Sequence, residues 1–151
     1  MLLTEEQLYK LIKESIYEAL SHDNVDWKSG YEIVGNGYHD GWILIMHEFP
    51  FLGYNYINKN GELLSDTWFS RANDFKDGIA LVVIKRKINF LKPNGELLSN
   101  IGFKRAWWFD ADGYSSVSFN GKQYKIDKEG NVYNHAMKPK FLGKLKDMQQ
   151  F

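Results

Sequence analysis

The chain is 151 residues long, 44% hydrophobic and 16% aromatic, enough for one compact domain with a filled core. Its formal net charge is zero, which speaks against a broad nucleic-acid surface, and no apolar run reaches the roughly 18–20 residues that a membrane span requires. There is no cysteine, which excludes disulfides, thiolate metal sites and a cysteine nucleophile and fits a reducing cytoplasm.

The first predicted element is an amphipathic helix within residues 1–24. Thr4 is a good N-cap and Gln7, three residues on, completes a capping box. Glu5 and Glu6 suit the positive end of the helix dipole. Leu8, Leu11, Ile12, Ile16, Ala19 and Leu20 share one apolar face, with Lys10, Lys13, Glu14 and Glu18 on the other. The opening "MLLTEEQ" lacks the basic n-region of a secretory signal. Residues 1–30 hold six acids against three bases, a net −3, and residues 122–151 hold seven bases against three acids, a net +4; both are read as solvated faces.

From residue 25 to 137 the pattern is that of short strands and turns. "NGELLS" occurs at Asn60–Ser65 and again at Asn94–Ser99. Gly61, Gly95 and Gly130 are 34 and 35 residues apart, and Asp77-Gly78 and Asp112-Gly113 are 35 apart. Ala72 and Ala106, like Phe75 and Phe109, are 34 apart. This predicts hairpin units of about 34–35 residues that stack because none can bury its face alone. The closing turns fit a type I turn followed by a left-handed glycine, with Asn58 or Asp127 at the first position and Pro93 at the second. Each "NGELLS" is then a turn with its outgoing strand. A second hairpin per unit joins Ile79–Ile84 to Ile88–Leu91 through Lys85-Arg86-Lys87, a solvated tip, and in the next unit the turn is Asn120-Gly121-Lys122. "HDGWILIMHEF" (His39–Phe49) suggests a degenerate first unit over 31–53, followed by units 54–87, 88–122 and 123–137 and a basic tail over 138–151.

These units resemble the WG-repeat (KWG-type) family through "YINKNGELL…F.RANDFKDGIALV". The likeness runs through Tyr54–Leu91, Phe90–Ile126 and Lys125–Tyr133, with Tyr54-Asn55, Ile88-Asn89 and Gln123-Tyr124 where the family has Trp-Gly. It implies a repeat scaffold without a common catalytic site. The helix resembles a motif found on small proteins of gut Bacteroidales and their tailed phages, which implies a detachable docking or packaging tag; the alternative is a helix that covers one end of the β core.

Catalytic and metal signatures are weak. "FDADGY" hints at a calcium loop, but Trp108 and Phe119 stand at the loop's first and twelfth positions, where oxygen ligands belong. "GNGYHDG" misses the dinucleotide spacing. His39 and His47 can meet across a hairpin, yet no nucleophile context accompanies them. The best surface candidate is "RAWWFD": if Trp107 and Trp108 both lie in a strand they face opposite sides and one should point outward, near Arg105 and Asp110, the alternative being packing between neighbouring repeats. Trp42 and Trp68 are assigned to the core.

The expectation is thus a mainly β protein of antiparallel hairpin repeats behind an amphipathic helix. It should be a non-catalytic protein-interaction or structural module, cytoplasmic or virion-associated if phage-encoded. No cofactor, metal, nucleic acid or membrane is expected. The alternative is a glycan-binding module using exposed aromatics. The expected interaction residues are Leu8, Leu11, Ile12, Ile16, Arg105, Trp107, Trp108 and Asp110, and Gly61, Gly95 and Gly130 are the structural turns.

Overall fold

The computed structural model describes residues 4–8, 10–11, 30–48 and 51–148. Residues 5–8 and 10–11 are helical, and the capping box is present: Thr4 N–H donates to Gln7 Oε1 at 3.0 Å and Gln7 N–H to Thr4 Oγ1 at 3.1 Å. Ile12, Ile16 and the rest of the expected helix lie outside the described residues.

The protein is mainly β, with three antiparallel sheets. The first holds β1 (Glu32–Ile33), β2 (Ile43–His47) and β3 (Gly53–Ile57). The second holds β4 (Arg71–Ala72), β5 (Ala80–Ile84) and β6 (Lys87–Leu91). The third holds β7 (Arg105–Ala106), β8 (Ser115–Phe119), β9 (Lys122–Ile126), β10 (Asn131–Asn134) and β11 (Phe141–Lys144). A two-residue strand followed by a hairpin of two five-residue strands thus recurs three times.

Turn chemistry builds each unit. In all three closing turns the glycine lies at positive φ, and its N–H donates to the residue three back: Gly61 to Asn58 O, Gly95 to Lys92 O and Gly130 to Asp127 O. Asn58 and Asp127 also accept two backbone N–H groups each through Oδ1. The β5–β6 turn is tighter than expected. Ile84 pairs with Lys87, leaving a two-residue loop with Lys85 and Arg86 both at positive φ, the type I′ geometry. Asp40-Gly41 and Asp77-Gly78 are two-residue turns of the same kind. Asp112-Gly113 instead ends a longer turn that begins at Asp110.

The outgoing chain departs from expectation. After Gly61 and Gly95 it makes the single bridges Ile57–Leu63 and Leu91–Leu97, is interrupted by a buried asparagine, and meets the same strand again at Tyr54–Phe69 and Ile88–Phe103. Asn89 Nδ2 donates to Ser99 O at 2.7 Å, and its Oδ1 accepts from Ser99 N at 3.1 Å and Phe90 N at 2.9 Å. Asn55 holds Ser65 and Tyr56 in the same way. These carboxamides replace the ladder, so "NGELLS" turns away toward the next unit. Tyr124 stands at the equivalent place in the third unit. There the chain after Gly130 forms the regular strand β10, with Asn134 opposite Tyr124.

Apolar clusters lie between successive sheets. Leu44 and Tyr56 of the first sheet pack with Phe69, Phe75, Ala80, Val82 and Leu91. Phe90 and Leu81 of the second pack with Phe103, Phe119, Val117 and Ile126. The closing turns add a second periodic contact: a Cβ on Gly95 would meet Leu64 O at 3.0 Å, and one on Gly130 would meet Leu98 Cδ1 at 3.5 Å. The segment expected as a basic tail contributes β11 and a short 3-10 helix, Leu145–Asp147. Its Leu145 is buried in the last cluster, where burial of a leucine outweighs the freedom of a loose end.

Candidate functional site

The third sheet is amphipathic in the simplest way. Along β8 and β9, Val117, Phe119, Tyr124 and Ile126 face the core, while Ser116, Ser118 and Gln123 alternate toward solvent. Antiparallel register brings Arg105 opposite Ser118 and Ser118 opposite Gln123. Just beyond β7, Trp107 N–H donates to Ser116 O at 3.0 Å, which extends the pairing by one residue. This pins the backbone of Trp107 while its indole stands 69% exposed.

Around it is a cleft of about 260 Å³ lined by Lys104, Arg105, Trp107, Ser116, Ser118 and Gln123, among others. One wall is a flat aromatic ring, and the rest offers cations, hydroxyls and an amide. The same face continues across Lys125 to an aromatic group. Lys125 Nζ lies 6.0 Å from the Tyr114 ring centre, Tyr114 packs edge-on to Tyr133 at 5.0 Å, and Tyr133 meets Phe141 at 6.0 Å. Tyr133 donates its hydroxyl to Asp127 Oδ2 at 2.9 Å; this bond holds the proton and pushes the phenol up to about 12. Burial opposes ionisation of Asp127, but bonds from Asn131, Tyr133 and the Glu129 backbone prevail and lower its pKa.

The other expected site residues separate. Trp108, next to Trp107, turns inward and packs on Phe90 and Phe109 at 6.2 and 5.8 Å, so it supports the core instead of the surface. Asp110 is exposed but occupied: its Oδ1 accepts from Asp112 N and Tyr114 N, both at 3.0 Å, and shapes the turn before β8. Arg105 alone joins Trp107 in the cleft. Leu8 and Leu11 are 49% and 51% exposed. Trp42 and Trp68 are half-buried against the core clusters, Trp42 with its Nε1–H donating to Pro93 O.

His39 and His47 sit at opposite ends of β2. His39 Nε2 lies 2.6 Å from Asn36 Oδ1, and His47 Nδ1 2.7 Å from Phe51 O with its ring against Trp68. Each is held by a separate partner, so the pair weighed in the sequence does not form. Among the described residues no three His, Cys, Asp or Glu side chains group as metal ligands, and no helix is long and apolar enough to cross a membrane. One half-buried acid carries no signal in the sequence. Asp74 Oδ1 is buried without a hydrogen-bond partner, and burial raises its pKa against the pull of His39.

Compared with known proteins, the chain matches no family model, no curated protein and no solved structure.

Proposed function

We propose that this chain is a non-catalytic interaction module on a degenerate WG-repeat scaffold, and that it binds carbohydrate on the open face of its last sheet. The observation that carries the reading is Trp107, an exposed indole on a pinned backbone with polar side chains around it. An indole plate stacks against the C–H face of a sugar ring, and Ser116, Ser118 and Gln123 can exchange hydrogen bonds with its hydroxyls. A protein hot spot would want an apolar seat around the ring. A binding role in place of catalysis agrees with the separate engagement of His39 and His47.

A glycan array probed with the full chain and with Trp107→Ala tests this. The native protein should bind a defined group of glycans. The variant should lose at least about tenfold in affinity, the order expected for one aromatic anchor, at an unchanged melting temperature. Equal binding by both proteins refutes the reading, as does no binding by either.

A second reading rests on the helix. Leu8 and Leu11 are half exposed beyond a well-formed cap, which suits docking of a protein partner in the cytoplasm or in a virion. Leu8→Asp with Leu11→Asp should abolish capture of that partner while leaving glycan binding intact.

A further inference from the structure

We infer that the carbohydrate is an anionic polysaccharide, laid along a basic track from Trp107 to the β5–β6 turn; this deepens the carbohydrate reading and rests on it. Three clefts adjoin one another. The one at Trp107 shares Lys104 and Gly121 with a second of about 370 Å³. The second shares Lys85, Lys87, Ile101 and Gly102 with a third of about 300 Å³. Six cations line the series: Lys85, Arg86, Lys87, Lys104, Arg105 and Lys122. No Asp or Glu lines any of the three clefts. Like charges gathered in concave surface without acids make a field that draws in an anion.

These cations are also uncommitted. Among the described residues none of the six makes a side-chain hydrogen bond, ion pair or ring contact. Of the other described lysines, Lys125 Nζ donates to Ala136 O and Lys128 Nζ to Asp77 O.

The backbone supplies an independent argument. Lys85 and Arg86 lie at φ 49° and 68°, a conformation that long L side chains adopt only with strain. The equivalent turn one unit later is Asn120-Gly121, at φ 52° and 75°, the pair that this turn prefers. The same fold thus accepts the favoured pair, and Lys-Arg adds two charges in place of good turn chemistry. A local rule broken without a structural gain points to function. Gly102, at φ 73°, keeps the floor of the track low: a Cβ there would stand 2.9 Å from Lys87 Cβ.

A sugar polymer fits better than single-stranded nucleic acid. Nucleic acids without sequence preference use successive rings on which bases stack. Here one exposed ring stands at one end. Toward Lys85 the lining offers amides, cationic groups, glycine backbone and the aliphatic side chains of Ile84, Leu97 and Ile101, and the one further ring, Phe119, is buried. One stacked sugar followed by residues carrying carboxylate or sulfate matches this order of groups.

The test is isothermal titration of the full chain at low salt with heparin, polygalacturonate, neutral dextran and an oligothymidylate. Two variants accompany it: Trp107→Ala, and the pair Lys85→Asn with Arg86→Gly, which installs the preferred turn and so should fold at least as well. The inference expects an acidic polysaccharide to bind more tightly than dextran and to weaken as salt is raised. It expects the turn pair to lose about tenfold while melting no lower, and Trp107→Ala to weaken binding as well. Acidic polysaccharide that binds the turn pair as well as the native chain overturns the basic track and leaves the carbohydrate reading standing. Loss in the turn pair with full binding by Trp107→Ala overturns the carbohydrate reading and, with it, this inference. Oligothymidylate bound as tightly as the best polysaccharide overturns the choice of sugar.

Discussion

The first sheet and the last start from the same parts, a two-residue strand and a hairpin, to which the last adds β10 and β11, yet the first is covered on both faces and the last on one. The cross-strand pair that faces the following unit is Leu44 with Tyr56 in the first sheet and Leu81 with Phe90 in the second. In the third it is Ser116 with Lys125. The first two pairs lie in the clusters between sheets, and the third meets solvent. One strand position thus carries apolar residues wherever another sheet stacks and polar ones where none does. Repeat arrays need such a polar end unit, and here that unit also holds the candidate site.

Exchanging a stacked position with its open counterpart should break this comparison most sharply. Phe90→Lys buries an unpaired ammonium and should cost more than about 4 kcal/mol, whereas Lys125→Phe should cost less than about 1 kcal/mol; urea unfolding of both measures the gap. Next in size is the clasp. Asn89→Ala leaves Ser99 and Phe90 backbone groups buried without partners, and a loss of about 3 kcal/mol is expected by the same measurement.

The closing turns are a finer test. Gly95→Val combines left-handed backbone with a Cβ against Leu64 O and should cost about 3 kcal/mol. Gly130→Val meets Leu98 no closer than 3.5 Å, an ordinary contact, and should cost about 2 kcal/mol or less, so thermal melts should rank the two.

Asp127→Ala, which removes the acceptor of the last turn, should cost about 1–2 kcal/mol. Because the folded pKa of Asp127 is lowered, its contribution is complete above about pH 4 and fades as pH falls through the lowered folded value. Native protein should therefore lose more stability than the variant on acidification, as melts across the acid range would record. Smallest of all, Ser116→Ala and Gln123→Ala on the open face should change stability by less than about 0.5 kcal/mol, and a larger fall would mean that this face is not open.

Much of the architecture is legible because its causes are local. A glycine that must reach positive φ every 34 or 35 residues marks the closing turns, and Asn58 and Asp127 reveal their turn type through bonds to residues two and four further on. Thr4 and Gln7 are legible for the same reason. The departure of "NGELLS" from its hairpin is not, since it depends on Asn55 and Asn89 reaching ten residues ahead. Alternation along an extended segment predicts that Trp107 and Trp108 face opposite ways, although β7 ends at Ala106, and packing against Phe90 decides which one is inside. The basic track was hidden because its lysines and arginines come from three separate turns and strands. Lys85-Arg86 reads as a solvated tip in the sequence, since only the pairing of Ile84 with Lys87 makes the loop two residues long and both residues left-handed.

Stacked sheets carry a hazard that the opening strands answer. An unpaired strand edge can template a strand from another molecule, and a chain with three sheets multiplies the opportunities. Here β1, β4 and β7 are two residues each, too short to nucleate a ladder with a neighbour. At the far edge of the last sheet, β11 has four residues, contains Gly143, ends at Lys144 and pairs with β10 through a register shift. The five-residue edges β3 and β6 are shielded differently, by the chain that follows each, through the bridges Tyr54–Phe69 and Ile57–Leu63 and the bridges Ile88–Phe103 and Leu91–Leu97. Concentrated protein should therefore resist edge-to-edge aggregation, because each edge is short, irregular or bridged by its own chain.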